Sequence, residues 1–366
     1  MREGWIEKCI DECTEIEFGT RVVQKRDGGN TYPVYGGGGE TFKMNTFNRE
    51  DCLIVSRFAM SKCCVRFVSG KFFLNDSGLS VKSGKGLEQC YLNHCLFYLN
   101  DEIYNLGKGA AQRNLDVKSF KKLIITIPPI STQLSIASEL DKIIEMISKY
   151  DEQLKELDKL SQSIFYEMFG DPVENEKGWE VKKLEEISRE IGDGLHGTPV
   201  YTQYNTGDFF INGNNLENGV ICIKENTKMV SEDTKCKYHI DMDTSTILVS
   251  INGTLGKTAI YNGENVILGK SACYIKLNSD VNKVYIHEII KSDYFKKYAN
   301  DESTGTTIKN VSLKSMRHFP IILPPLPLQQ SFARKIEAIE AMKSKVREAK
   351  KEAETLLAAR MQYWFE

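Results

Sequence analysis

The sequence of 366 residues has no apolar run of about 18 residues, the length that a membrane-spanning helix needs. Its first segment, MREGWIEKCIDECTEIEFG, carries acidic side chains and lacks the apolar core of a secretory signal. The formal net charge is only -2 at pH 7, which excludes a histone-like polycation. We therefore expect a cytoplasmic protein with no membrane partner, and a chain of this length suggests two or three domains.

Metal-binding and catalytic motifs are also missing. The ten cysteines contain no C-x-x-C pair, and we interpret the closest group, Cys90, His94 and Cys95, as buried thiols rather than a metal site. No H-E-x-x-H, G-x-S-x-G or deaminase pattern occurs. Residues 253–258 resemble a phosphate-binding loop, but Ile251 stands where the first glycine is required, which favours a β-turn. The sequence thus predicts a binding protein, not an enzyme.

An internal repeat determines the predicted architecture. Segment 109–140 aligns without a gap with segment 305–336, at an offset of 196 residues. The two copies share a glycine, an asparagine, a Lys-Ser pair, a Pro-Pro pair and a glutamine at equivalent places. Weaker matches precede them, GWIEKCIDE with GWEVKKLEE and LIVS with LVS. The two copies share these framework residues but differ in the rest of their sequence. This pattern indicates that the same task is performed on two different targets.

Each copy ends in a long helical pattern. From Ile136 to Met168, apolar residues recur at alternating steps of four and three, the heptad pattern of a coiled coil, and only Ser161 is polar. We expect helix to pack against helix; the alternative is two amphipathic helices lying on separate domains. The second stripe consists of Phe332, Ile336, Ile339, Met342, Val346, Ala349, Ala353, Leu356 and Tyr363. Our candidates for coiled-coil or partner contacts are Leu140, Ile143, Ile147, Leu154, Leu157, Ile164, Ile336, Ile339, Val346 and Leu356.

The regions before these helices predict α+β globules, because short β-branched runs alternate with turn residues and a helical segment follows. The predicted domains are a first globule in residues 1–130, a spacer helix in 131–170, a second globule in 171–326 and a distal helix in 327–366. Residues 14–128 hold 16 Lys/Arg against 11 Asp/Glu, whereas residues 190–323 hold 14 against 15. Only the first globule therefore has the basic character expected of a phosphate-binding surface.

In order and duplication, these motifs resemble the DNA-specificity (S) subunit of Type I restriction–modification systems, over essentially the whole chain. The resemblance is carried by the G-x-x-x-x-N and Lys-Ser frame and by Pro-Pro-x-x-x-Gln, which occurs at 128–133 and 324–329. SIFYEMFGDP, YPVYGGGG, LIVSRF and ILVSINGTLGK are similar to the family as well. In this chain a turn of the first copy departs from the pattern as Ala59-Met60-Ser61-Lys62, and the second helix stops at MQYWFE, which puts its last-turn docking contacts in question.

The resemblance implies two target-recognition domains, each reading one half of a split, asymmetric site in double-stranded DNA. It implies that the long helices form an antiparallel coiled coil, set the gap between the half-sites and dock two methyltransferase subunits, which restriction/translocase subunits join. Catalysis, and with it S-adenosylmethionine, ATP and Mg²⁺, would belong to those partners, so no cofactor is expected in this chain. A protein-binding scaffold and a system with a fused modification–cleavage partner stay open as alternatives.

We expect the DNA contacts among side chains that bind phosphates or base edges. The alternative is that they are ordinary surface or turn residues. We interpret Asn114 and Asn310 as turn residues, and Gln133 and Gln329 as capping or interface groups. The candidates of the first copy are Arg21, Lys25, Arg26, Tyr35, Arg57, Lys62, Arg66, Gln112 and Arg113. Those of the second copy are Thr198, Tyr201, Asn212, Asn214, Asn252, Lys257, Lys270, Thr307 and Lys309.

Overall fold

A computed structural model describes residues 2–109, 112–304 and 309–366 of the chain. The chain divides into two compact units: the first comprises Met1–Glu152 and Val346–Glu366, and the second comprises Gln153–Lys345. Two long helices cross this division, so each unit contains a globule, the beginning of one long helix and the end of the other.

The first unit contains short strands and helices that precede the long helix. Its strands are β1 (Ile6–Cys9), β2 (Thr14–Phe18), β3 (Tyr32–Gly36), β4 (Gly39–Met44), β5 (Arg49–Ser56), β6 (Val65–Leu74), β7 (Gly78–Ser83), β8 (Gly107–Lys108), β9 (Asn114–Leu115) and β10 (Ile124–Ile127). Its helices are α1 (Ile10–Cys13), α2 (Gln24–Asp27), α3 (Gln89–Tyr98), α4 (Asn100–Asn105), α5 (Val117–Lys121) and the start of α6 (Ile130–Phe169). One sheet has the order β2-β7-β5-β6-β3-β4, while β1 pairs with β10 and β8 with β9.

Strand β5 shows why this sheet forms. Successive side chains of a strand point to opposite faces. Leu53 and Val55 therefore join the buried cluster that contains Tyr91 of α3, whereas Cys52 and Ile54 join a separate cluster on the other face. Because both faces are covered, the apolar run LIV has no polar alternation, as is expected of a strand buried on both sides.

The second unit begins within α6 and repeats the mixture of strands and helices. Its strands are β11 (Glu180–Lys183), β12 (Ser188–Asp193), β13 (Tyr201–Thr202), β14 (Phe209–Ile211), β15 (Leu216–Glu217), β16 (Val220–Ile221), β17 (Met229–Val230), β18 (Thr246–Ser250), β19 (Thr258–Ile260), β20 (Val266–Leu268), β21 (Ala272–Leu277) and β22 (Pro320–Leu323). Its helices are α7 (Glu232–Tyr238), α8 (Lys283–Lys291), α9 (Asp293–Asp301), α10 (Leu313–His318) and the start of α11 (Leu326–Phe365). Two four-stranded sheets have the orders β12-β21-β18-β19 and β13-β17-β14-β20.

The two globules share one frame, which confirms the predicted repeat and the α+β class. β1 pairs antiparallel with β10, and β11 pairs antiparallel with β22 in the same way. In the first copy the hydroxyl of Tyr91 donates to the carbonyl of Thr126, at 2.7 Å. In the second copy Tyr285 donates to the carbonyl of Ile322, also at 2.7 Å. In each globule a buried tyrosine therefore attaches α3 or α8 to the strand that leads into the long helix.

A buried glutamine fixes the beginning of each long helix. The side-chain amide of Gln133 donates to the carbonyl of Pro128 at 2.8 Å, and its Oε1 accepts from the backbone N–H of Glu88 at 2.7 Å. Gln329 makes the corresponding pair of bonds in the second copy. Both side chains are almost fully buried, which agrees with an interface role for them. The P-P-x-x-x-Gln motif thus joins the start of the long helix to the start of α3 or α8.

In the first unit the two long helices run antiparallel. Glu139 near the start of α6 forms an ion pair with Arg360 near the end of α11. Further along α6, Asp151 accepts from Lys350 at 2.7 Å. Residue numbers rise in one helix as they fall in the other, so the coiled coil that the resemblance implied is antiparallel here.

The second unit shows the same pairing through different contacts. Asp158 of α6 pairs with Lys343 of α11 at 2.7 Å. Closer to the end of α6, the ring of Phe165 lies 5.8 Å from the ring of Phe332, which belongs to the first turns of α11. The two helices are therefore antiparallel in this unit as well.

The predicted seam of α6 holds along its whole length. Each apolar residue of the stripe from Ile136 to Met168 is buried or half-buried. The polar exception, Ser161, is buried and donates to the carbonyl of Leu157 in its own helix at 3.1 Å. Its hydroxyl is therefore hydrogen-bonded without leaving the seam.

The predicted stripe of α11 is partly wrong. Met342, Leu356 and Tyr363 are 54%, 46% and 53% exposed. In place of Met342, the seam contains Lys343, which is 1% exposed and pairs with Asp158 and Glu340. In place of Leu356 and Tyr363, it contains Leu357 and Trp364. Burial opposes the charged lysine, but hydrogen bonds from its ammonium to the two carboxylates outweigh this and raise the pKa of Lys343. A search for apolar spacing selects Met342 because it cannot anticipate a buried ion pair.

None of the helices in the described ranges is long and apolar enough to cross a membrane.

We expect Gln329→Ala to lower the free energy of unfolding by about 1–3 kcal/mol, because it leaves the buried N–H of Asn282 and the carbonyl of Pro324 without their partner. The matched control is Gln330→Ala at the next, exposed position, which should have little effect. Urea unfolding followed by circular dichroism measures both. Equal stability of the two variants would show that the buried glutamine does not fix the helix start.

Candidate nucleic-acid interface

In the first globule, the loop after β5 lies against the segment that precedes α5. The N–H of Met60 donates to the carbonyl of Arg113 at 3.0 Å, and the N–H of Leu115 donates to the carbonyl of Arg57 at 2.8 Å. The side chain of Asn114 accepts from the N–H of Ala59 at 3.3 Å. We call residues 57–62 and 112–114 the first loop junction.

The second globule repeats this junction with different side chains. The N–H of Gly253 donates to the carbonyl of Lys309 at 2.9 Å, and the N–H of Val311 donates to Ile251 at 2.9 Å. The amide of Asn252 donates to Oδ1 of Asn310 at 3.4 Å. We call residues 250–257 and 309–310 the second loop junction. Asn310, like Asn114 in the first copy, bonds to the facing loop, which is a more specific role than the turn predicted for them.

Five candidates of the first copy converge on the first loop junction or its border. Arg66 donates to the hydroxyl of Ser61 at 2.6 Å and approaches the carbonyl of Gly37 at 3.4 Å. The guanidinium of Arg57 lies 4.4 Å from the ring centre of Phe58. The remaining three are Arg113, Lys62 and Gln112. Arg57 and Arg66 are half-buried and held in place, so little side-chain entropy is lost if they bind a ligand.

Tyr35 ends the strand that leads to this region, and its ring packs edge-on against Phe72 at 5.6 Å. The structure does not bring the other three candidates to the junction through any bond among the described residues. Arg21 is exposed before α2, and Lys25 and Arg26 lie on α2 itself. Nε of Arg26 donates to Asp27 at 2.8 Å, a bond that raises the pKa of the arginine and lowers that of the aspartate. Arg26 therefore has a carboxylate partner, which a phosphate would have to displace.

Several second-copy candidates surround the ends of β14 and β20. Oδ1 of Asn212 accepts from the hydroxyl of Ser271 at 2.9 Å, so part of this side chain has a structural task. Asn214 and Lys270 are exposed nearby, and the backbone N–H of Lys270 donates to the carbonyl of Leu195 at 3.1 Å. Asn214 and Lys270 are therefore better placed than Asn212 to contact a ligand.

Further candidates are scattered along the surface of the second globule. Thr198 is exposed, and the ring of Tyr201 lies 4.6 Å from the ammonium of Lys228. Lys257 is half-buried, and Lys309 donates to the side chain of Asn300 at 2.6 Å. Thr307 lies outside the described residues.

Two residues near these candidates were not predicted from the sequence. Lys228 follows a turn and pairs with an aromatic ring, and Tyr204 is 83% exposed. Neither belongs to a periodic pattern or a repeated motif. The lysine of an exposed cation–π pair has no distinctive sequence signal.

Glycine lets the loops of each junction approach closely. A Cβ on Gly37 would lie 1.8 Å from the carbonyl oxygen of Phe58, and a Cβ on Gly213 would lie 2.2 Å from Oγ of Ser250. Ser56, which is equivalent to Ser250, donates to the carbonyl of Gly37 at 2.8 Å. A serine and a nearby glycine thus fix the base of both junctions.

No cluster of three or more His, Cys, Asp or Glu side chains in residues 2–109, 112–304 and 309–366 is arranged to hold a metal ion. In the group Cys90, His94 and Cys95, burial raises the pKa of the Cys95 thiol to about 12. A thiol with such a pKa stays protonated at neutral pH and is a poor metal ligand. His94 binds Asp141 instead, with Nε2 at 2.8 Å from the carboxylate.

Comparison with known proteins identifies the class to which this arrangement belongs. The family model of the Type I restriction modification DNA specificity domain matches residues 2–159 and 176–354, once in each copy of the repeat. The chain therefore belongs to the family of Type I restriction–modification DNA-specificity subunits. The expected DNA-specificity role is confirmed by this match, and the family assigns the chain to the specificity subunits, not to the catalytic ones.

Individual relatives agree with the family. The chain is 22% identical over 334 residues to the Type I restriction enzyme MjaVIII specificity subunit of Methanocaldococcus jannaschii, covering 79% of this chain and 75% of that protein. Its fold is similar to the Type I S subunit from M. genitalium, with a TM-score of 0.60 and 14% identity over 99% of this chain and 96% of that chain. It also resembles a chain from a structure concerning complex assembly and conformational transition of the type I R-M system, with a TM-score of 0.56 and 15% identity over 99% of this chain and 97% of that chain.

We expect Gly37→Ala to destabilise the first globule by about 1–3 kcal/mol, because the new Cβ would collide with the backbone of the junction loop. Gly38→Ala is the matched control, since a Cβ there meets nothing within 4 Å. Thermal unfolding of the two variants measures the difference. A Gly37→Ala protein as stable as Gly38→Ala would contradict the close approach of the loops.

Proposed function

We propose that the chain reads a split, asymmetric site in double-stranded DNA, with one loop junction at each half-site. The observation that carries this proposal is the repetition of one backbone frame with different side chains. Arg57 and Arg66 lie in the first junction and at its border, while Asn252 lies in the second junction and Asn214 on the surface near the ends of β14 and β20. The repeated backbone frame would place each loop junction on its half-site, and the side chains at that junction would select the bases. We call each loop junction with these side chains a reader.

The chemistry of the two junctions suits DNA. Arginine binds guanine through two hydrogen bonds in the major groove, and asparagine binds adenine in the same way. Lysine and arginine also bind phosphates, which position a protein on the duplex without selecting a sequence. A basic residue occupies equivalent places in the two junctions, Arg113 in the first and Lys309 in the second. We assign these two to the phosphates.

The long helices would act as the spacer between the half-sites. Each has 40 residues. At about 1.5 Å per residue such a helix is about 60 Å long. The spacing of half-sites in DNA is a geometric quantity that the protein imposes. Ion pairs join the two helices at Glu139–Arg360, Asp151–Lys350 and Asp158–Lys343, and we propose that this pair sets one gap.

The outer faces of the same helices would dock the partner subunits. Away from the seam, α6 exposes Ile144 and Leu160, and α11 exposes Met342 and Leu356. Large exposed apolar side chains along a helix are suited to receive an amphipathic helix of another protein. We propose that two methyltransferase subunits bind here and that restriction/translocase subunits join through them.

The partners would supply the chemistry. S-adenosylmethionine, ATP and Mg²⁺ would be bound by those subunits, and this chain would position them on its site. Since the substrate is cellular DNA, we place the complex in the cytoplasm.

We expect Arg57→Ala to weaken selection at one half-site only, by about 1–3 kcal/mol, because its side chain belongs to one reader. Asn214→Ala in the second globule is the reciprocal variant, because this side chain is exposed, and it should affect selection at the other half. Selection from DNA randomised in each half, with the reconstituted methyltransferase complex, measures both. Equal loss at both half-sites in either variant would contradict the model of two independent readers.

A further inference from the structure

A groove of about 340 Å³ lies beside the second loop junction, entirely within the second unit. Three lysines line it: Lys257 from the junction, Lys291 from the end of α8 and Lys296 from α9. We propose that this groove holds the DNA backbone next to the second half-site, with Lys291 and Lys296 as positioning residues. The inference rests on the proposed function and names where the second reader obtains its phosphate contacts.

The groove is continuous with the loop that would read bases. Gly256 ends that loop with a φ of +76°, and its Cβ position lies 3.4 Å from Cγ of Lys296. The aliphatic stem of Lys296 thus packs along the turn. A strand of DNA that contacts Asn252 would have its phosphates close to this lysine.

Two of the three lysines have carboxylate neighbours. Lys296 pairs with Asp293 at 3.1 Å, and Lys291 approaches Glu288 at 3.7 Å. Asp158 and Glu340 lie 4.0 and 3.9 Å from the ammonium of Lys291. The pair of Lys296 with Asp293 is exposed, and pairs of this kind are weak and screened by water, so a phosphate can replace the carboxylate.

The carboxylate that lines the groove is already bound. Glu217 accepts from Lys224 at 2.7 Å, and this hydrogen bond lowers the pKa of the glutamate. Lys224 therefore offsets its charge. Among the residues that line the groove, the carboxylate is that of Glu217, and it has its own partner.

The first globule has no equivalent groove lysines. At the offset of 196, Lys296 corresponds to Asn100, whose side chain accepts from the N–H of Cys64 and donates to the carbonyl of Lys62. At the offset of 194 that relates Tyr91 to Tyr285, Lys291 corresponds to Phe97. The first globule carries its cations on the loop junction instead. The second globule, which is almost neutral as a whole, places three lysines along the groove.

The test is the salt dependence of DNA binding by the full chain in complex with its methyltransferase. The probe is a duplex that contains the methylated site. Its binding by the wild-type complex is compared with its binding by the complex of the double variant Lys291→Gln/Lys296→Gln. Loss of two phosphate contacts should reduce the slope of log K against log salt by about 1.8, since each contact contributes about 0.9. Base preference at both half-sites should not change, because phosphates carry no sequence information.

Lys297→Gln is the matched control. It removes the same charge from the next residue of α9, which is exposed and does not line the groove. Its slope should equal that of the wild type. Thermal unfolding of all three proteins checks that the fold is retained.

Three outcomes would overturn the inference. If the double variant keeps the slope of Lys297→Gln, the groove does not hold the backbone. If the double variant loses affinity for the methyltransferase while the salt dependence of its DNA binding is unchanged, the groove is a protein contact. If the wild-type complex binds the duplex no better than unrelated DNA, the proposed function fails, and the inference with it.

Discussion

In each unit, the packing of a fully buried tyrosine against an aromatic ring at the end of a long helix is the contact on which the unit depends. In the second unit the ring of Phe169, at the end of α6, lies 4.9 Å from Tyr285; in the first unit Phe365, at the end of α11, lies 5.4 Å from Tyr91. Each tyrosine also donates to the strand that leads into the other long helix. One buried ring therefore attaches the end of one helix and the beginning of the other to the same globule. This constraint explains why SIFYEMFG in the first copy and MQYWFE in the second, although different in sequence, perform the same packing task.

The same frame separates stability from recognition. Gln133 and Gln329 are buried inside the repeated part, where a substitution leaves buried polar groups unpaired. The exposed side chains that the frame presents differ between the copies. A specificity subunit can thus change its target by exchanging exposed residues while its core and its helices stay constant. The difference in charge between the copies has the same origin, since the first globule places arginines on its loop junction and the second relies on asparagines and on lysines beside it.

Much of the fold could be predicted from the sequence because its signals are local or repeated. Proline pairs and heptad spacing predicted helices that the structure places at Ile130–Phe169 and Leu326–Phe365, and the gapless offset predicted two equivalent globules. The stripe of α11 could not be predicted fully, because the buried Lys343 depends on carboxylates that include Asp158 of the other helix. The site was predicted less well. Arg57 and Arg66 come together with Arg113, but Lys25 and Arg26 lie elsewhere on α2, and the role of Asn114 depends on a loop 55 residues earlier. Contacts between distant segments leave no spacing pattern, and a charge count over a whole globule averages out the lysines of one groove.

The central claim is that the helix pair sets a fixed distance between two independent readers. Its most direct test is a map of adenine methylation in DNA from cells that carry this chain with its methyltransferase. The map is compared with one from a variant that has seven residues inserted in both helices, after Glu152 and after Lys345. The wild type should give a split motif with a single gap. The variant should keep both half-sites and lengthen the gap by about three base pairs, because seven residues add about 10 Å to a helix and each base pair of DNA spans about 3.4 Å. A contiguous motif, or a gap that does not change on insertion, would contradict the account.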